Sequence, residues 1–171
     1  MTMKPFAETS LPAAVFDRAT WTPLLDLSAR EVFDIMLGTR LQPFESSADE
    51  STALANDGEF TALVGLAGSL CGVLSIRCSE QAARIMASKM LGMPPEEVDN
   101  DSWDALGEIA NMIAGNFKGK LSGVGNHCML SVPTIIVGSD YETRSLAASN
   151  MIEAIFDFEQ TPLLVTLELH E

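Results

Sequence analysis

Apolar residues recur along the chain in two periods, one helical and one alternating, and their succession predicts the elements. In WTPLLDLSAREVFDIMLGTRL, residues 21–41, Leu24, Leu27, Val32, Ile35 and Met36 keep helical spacing, and Pro43 lies just past the end. FTALVGLAGSLCGVLSIRC, residues 60–78, is dense in Val, Leu and Ile. Gly68-Ser69 divides it where a two-residue turn needs positive φ, which predicts a β-hairpin. SEQAARIMASKMLG returns to helical spacing, with Ser79 as N-cap and Gly92 as C-terminal glycine ahead of Pro94 and Pro95.

A third helix is predicted from about Ser102 to Leu121, with Asn100, Asp101 and Ser102 offering N-caps. HCMLSVPTIIVG reads as a strand in which Pro133 removes a ladder donor, so it predicts an edge, a bulge or a break there. EAIFDFEQTPLLVTLELHE alternates around Gln160-Thr161-Pro162, placing Leu163, Val165, Leu167 and Leu169 on one face of a second hairpin. The expected fold is therefore α+β, a mostly antiparallel sheet built from hairpins with the long helices packed on one face. Residues 1–20, with Pro5 and Pro12, read as an arm, and residues 21–171 as a single domain. REVFDIMLG, residues 30–38, can be laid over GEIANMIAG, residues 107–115, the pattern of an internal pseudo-duplication.

Composition narrows the function. Ten Lys and Arg against 24 Asp and Glu give a net charge of −14, which repels phosphate backbones and anionic lipid and sets nucleic acid and membranes aside as partners. The opening residues form no signal segment and no run of about 18 apolar residues occurs, so the expectation is a soluble, cytoplasmic protein. Cys71, Cys78 and Cys128, odd in number and set in apolar, strand-like stretches, read as reduced, buried thiols. His127 beside Cys128 lacks a second ligand pair, so no metal site and no cofactor held by this chain are expected. The nine methionines read mostly as core fillers, with Met86, Met90, Met112 and Met129 within apolar periodicity, and Trp21 and Trp103 as anchors for the starts of their helices.

The third helix carries the candidate chemistry. At 100° per residue from Asp104, Glu108 falls at about +40°, Asn111 at about −20° and Gly115 at about +20°. Leu106, Ile109, Ile113 and Phe117 fall opposite, so the aliphatic side can be buried and the polar stripe left outward. Gly107 and Gly115 each cost about 1 kcal/mol relative to alanine in a helix interior. Either another protein approaches the bare backbone, or a neighbouring loop packs tightly over it. Asn111 is a mediocre mid-helix residue, but its amide carries both a donor and an acceptor. Such a group can hold a water against a phosphoryl group, where a carboxylate would repel the phosphate.

Asp104-x3-Glu108-x2-Asn111, followed by Pro133, resembles the signature of the CheC/CheX/FliY chemotaxis phosphatases, and the single copy of the motif resembles the CheX type. The resemblance implies hydrolysis of the phosphoaspartate of a CheY-like receiver domain. Asn111 would orient the attacking water and Glu108 would pair with the receiver's phosphate-site lysine. Asp104, Gly115 and Pro133 would support docking, and Mg²⁺ would be held by the receiver's carboxylates. It also implies a homodimer. A non-catalytic receiver-binding or flagellar-switch-type scaffold is the alternative of a different class, and a dimerisation domain with an incidental stripe is the third. In the first helix Leu27 stands where Asp104 stands and Asp34 lacks the amide of Asn111, so Glu31 and Asp34 are expected to form a solvated face and not a second site.

Overall fold

Asp17 starts the first helix, α1 (Arg18–Leu37), by accepting the Ala19 amide on its carboxylate at 3.2 Å, and Gly38 ends it in the left-handed conformation. The helix thus begins before the predicted residue 21, and Pro23 lies inside it. The structure is a computed structural model that describes residues 16–44, 60–98, 101–121, 123, 127–138, 141 and 149–170. Most of the expected arm, residues 1–15, and the N-cap candidate Asn100 lie outside the described residues. Residues 18–20, assigned to the arm, belong to α1.

Among the described residues, seven antiparallel strands form one sheet: β1 (Gln42–Pro43), β2 (Phe60–Gly68), β3 (Gly72–Cys78), β4 (Cys128–Leu130), β5 (Thr134–Val137), β6 (Ser149–Phe158) and β7 (Thr161–His170). Two further helices, α2 (Glu80–Leu91) and α3 (Asp101–Lys120), complete the α+β arrangement. Ser79 caps α2 and Gly92 closes it, both as predicted. Ala62, Val64, Leu74, Ile76, Leu163, Val165 and Leu167 are fully buried on the sheet face that meets Leu25, Phe33, Leu106, Ile109, Ile113 and Phe117 of the helices. Alternation along each strand is what segregates these side chains to one face.

The β6–β7 turn is a two-residue one, Glu159 (φ 52°) and Gln160 (φ 66°), both left-handed, so it is shorter and starts one position earlier than the expected Gln160-Thr161-Pro162 turn. Between β2 and β3 the last Cα pair is Leu66 with Gly72, so the connection is longer than a two-residue turn. That loop carries Cys71, which is exposed and so departs from the expected buried thiol; Cys78 and Cys128 are buried. Burial pushes the Cys78 thiol up to about 12 and raises that of Cys128 as well.

The strand order, β1-β6-β7-β3-β2 with β4 and β5 both on the outer edge of β2, reads the same when the two halves of the chain are exchanged. Each half supplies a 20-residue helix, a strand lent to the edge of the other half's hairpin, and a hairpin of its own. This topology supports the pseudo-duplication, with α2 standing outside the repeat. Arg30 of α1 ties down the lent strand β1: its guanidinium bonds the Leu41 carbonyl and Asp26 and lies 5.0 Å over the Phe156 ring.

Candidate active site

The functional face is built on α3. Leu106, Ile109, Ala110, Ile113, Ala114 and Phe117 have no exposed surface, which fixes the rotation of the helix about its axis. Asp104 and Glu108 are exposed and Asn111 and Gly115 half-buried, so the four predicted positions share one outward stripe. From Asp104 to Gly115 this stripe runs about 16 Å along the helix, with Glu108 and Asn111 less than one turn apart. No side-chain hydrogen bond or ion pair joins Asp104, Glu108 or Asn111 to another described residue.

One flank of the stripe is made by the interrupted strand. Between Leu66–Leu130 and Leu63–Thr134 the pairing with β2 slips by one residue, and Ser131, Val132 and Pro133 form the bulge. Ser131 is pinned there: its amide donates to the Gly65 carbonyl at 2.9 Å and its Oγ accepts the Gly65 amide at 2.8 Å. The bulge lays Pro133 on α3. A Cβ at Gly107 would stand 3.4 Å from both Pro133 Cβ and Ile135 Cδ1, whereas one at Gly115 would meet only Leu130 Cδ1 at 3.9 Å. Gly107 is therefore explained by tight packing under a neighbouring segment. Gly115 is not under such pressure.

The two basic residues of the last turn of α3 are both committed. Lys118 Nζ donates to the Cys128 carbonyl at 2.7 Å, and Lys120 Nζ pairs with Glu31 Oε2 at 2.6 Å. Asp104 and Glu108 consequently leave the stripe acidic. Glu31, the counterpart of Glu108 in the overlay of the two helices, also accepts Asn116 Nδ2 at 3.0 Å, and these hydrogen bonds hold its carboxyl below its usual value. Glu31 is thus a clamp between α1 and α3 and not simply solvated, while Asp34 is exposed and stands 3.9 Å from Arg40. Among the described residues no group of three or more His, Cys, Asp or Glu could hold a metal ion, and no helix is long and apolar enough to cross a membrane.

Trp21 anchors its helix as expected, at 6% exposure and edge-on to Phe117. Trp103 does so only in part: its ring lies 6.5 Å from that of buried Phe60, yet it is 39% exposed on the Gly107 side of the stripe. Its place about 100° from Asp104, at the border of the buried arc, is the sequence signal that could have found this. Equally, nothing local in the sequence announces that Pro133 meets Gly107.

Residues 60–157, more than half of the chain and enclosing both the stripe and Pro133, match the family profile described as chemotaxis phosphatase CheX. The CheY-P phosphatase CheX of Thermotoga maritima is 32% identical over 84 residues, 48% of this chain and 54% of that protein, so the match spans about half of the relative's length. Among solved structures, the chemotaxis protein CheX of Vibrio vulnificus aligns with a TM-score of 0.73 at 23% identity, over 91% of this chain and all of that one. A CheX–CheY–BeF3–Mg²⁺ complex from Borrelia burgdorferi aligns with a TM-score of 0.66 at 21% identity, over 88% of this chain and 98% of that one. At these identities the two structures establish likeness of fold.

Proposed function

Because the chain belongs to the CheX chemotaxis phosphatase family, we propose that it hydrolyses the phosphoaspartate of a CheY-like receiver domain through Asn111 and Glu108. The observation that carries this reading is the unpartnered stripe: a carboxylate and an amide less than one helical turn apart, projecting from a helix whose opposite side is locked in the core. Asn111 Oδ1 accepts a hydrogen bond from the attacking water while Nδ2 donates to a phosphoryl oxygen, so the water is held in line with the scissile bond. The water oxygen bonds to phosphorus, the bond to the aspartyl oxygen breaks with its electron pair returning to the receiver's carboxylate, and the water's protons leave on the inorganic phosphate. Phosphoryl transfer needs chiefly such positioning and charge stabilisation, and no covalent nucleophile of this chain takes part.

Glu108 sets the register by pairing with the receiver's phosphate-site lysine, and Asp104, Gly115 and Pro133 line the contact. The receiver brings its own Mg²⁺, for which this chain offers no ligand set among its described residues. The work is then cytoplasmic, where such receivers are phosphorylated. One sheet and its main core draw on both halves, which supports a single domain that starts with α1, three residues before the expected residue 21. A homodimer is supported by the outer edge of β6, which among the described residues is paired by a strand only through Gln42 and Pro43.

The deciding experiment follows the decay of a phosphorylated CheY-type receiver freed of its kinase. Wild-type chain should accelerate the decay, and folded Asn111→Ala should lose at least about a hundredfold of that acceleration, the scale of a misplaced reacting group. Binding without acceleration, for every receiver tried, would assign the chain to the non-catalytic scaffold class.

A further inference from the structure

A specific protein interface takes on the order of 800 Å² from each partner and draws much of its affinity from a few aromatic or basic anchors. The stripe alone supplies two carboxylates and an amide. Its two sides differ in what they can add. Toward α1 and α2, Ala105 is buried, and Asn116 and Lys120 are engaged with Glu31. On the other side Trp103 is 39% exposed, and its ring lies 6.5 Å from that of Phe60, tilted by 53°. Phe60 is the cross-strand partner of Val137, which is 57% exposed; paired residues share a sheet face, so Val137 stands at the same end as Trp103. One turn along α3, Pro133 and Ile135 lie against Gly107. Trp103, Val137, Pro133 and Ile135 thus form an uncharged ledge along one side of an acidic stripe.

We propose that this ledge is part of the docking surface for the receiver, with Trp103 as its anchor: a receiver that brings its phosphate site to Asn111 also covers the Trp103 ring with an apolar side chain. The inference rests on the phosphatase reading above. Two observations select that occupant. Trp103 directly precedes Asp104, so a partner seated on the stripe reaches the ring without a gap. The juxtaposition of carboxylates with an uncharged ledge also fits a partner surface on which a basic group stands beside apolar side chains, the basic group being the receiver lysine proposed above to pair with Glu108. The contrast with Trp21, 6% exposed in the core, shows that this fold can bury a tryptophan at a helix start.

The test labels the full chain with 5-fluorotryptophan. Its two tryptophans give two fluorine resonances, assigned with Trp21→Phe and Trp103→Phe. On titration with a beryllofluoride-loaded, Mg²⁺-bound receiver, the Trp103 resonance should shift while that of Trp21 stays. Trp103→Ala should raise KM for the phosphorylated receiver about tenfold with kcat nearly unchanged, the pattern of lost uniform binding, and Trp103→Phe should restore most of the loss. Turnover with an unmoved Trp103 resonance, or with an unchanged KM in Trp103→Ala, overturns the ledge alone. A wild-type chain that neither binds nor dephosphorylates any receiver overturns the phosphatase reading, and the ledge with it. Should Trp103→Ala fail to fold, the shift of the Trp103 resonance, expected if the receiver covers the ring and absent if it does not, still decides.

Discussion

Replacing Gly115 by alanine should separate stability from recognition on a single helix. Gly115 lies in the interior of α3, where glycine is less favourable than alanine by about 1 kcal/mol. The added methyl meets only Leu130 Cδ1 at 3.9 Å, an ordinary contact, so nothing offsets that gain. For a chain of this length the expected rise in Tm is about 2–4 °C. If a receiver approaches the bare backbone at this point, the same methyl intrudes on the interface. A tenfold rise in KM, about 1.4 kcal/mol, is then expected in the variant that is the more stable of the two. Thermal denaturation by circular dichroism and phosphatase kinetics on one preparation read both effects. Gly107→Ala is the control: its methyl would stand 3.4 Å from Pro133 and Ile135, so its stabilisation should be smaller. A lower Tm for Gly115→Ala would refute the packing argument, and a higher Tm with unchanged KM would remove Gly115 from the docking surface.

Two further outcomes follow from ionisation and burial. Lys120 and Asn116 hold the Glu31 carboxyl below its ordinary value of 4.5, so its pairing adds stability that is present above that value and is lost as pH falls through the lower, folded value. Urea midpoints taken from about pH 5 to about pH 3 should therefore fall more steeply for wild type than for Glu31→Gln, and equal slopes would contradict the clamp. In the native protein a disulfide reagent at mildly alkaline pH should titrate exposed Cys71 rapidly, with Cys78 and Cys128 reacting only on unfolding. Fast reaction of all three thiols would contradict the burial of the last two.

What the sequence disclosed depended on whether the determining interaction was local. The stripe was legible because helical rotation alone places Asp104, Glu108 and Asn111 opposite Leu106, Ile109 and Ile113. The terminal hairpin was legible because Leu163, Val165, Leu167 and Leu169 alternate without interruption, and Pro133 announced a break through its missing donor. The lent strand β1 was not, since two residues carry no periodicity and their partners on β6 are more than a hundred positions away. Cys71 looked strand-like because Leu70 and Val73 flank it, but the register with β2 places it in the connecting loop. Glu31 looked like a solvated position because its partners, Asn116 and Lys120, come from another helix. The candidate site was thus readable in its chemistry and unreadable in its flanks, which tertiary pairing alone assembles.

The clamp on Glu31 also bears on stoichiometry. A fold whose two halves mirror each other offers two equivalent helix faces, and with them the potential to seat two partners at once. Here Lys120 already occupies the carboxylate of the first face, Asp34 stands in place of the amide, and exposed Leu27 replaces Asp104. On the phosphatase reading each chain is therefore monovalent, and its duplicate helix has become internal bracing for the one that reads the receiver.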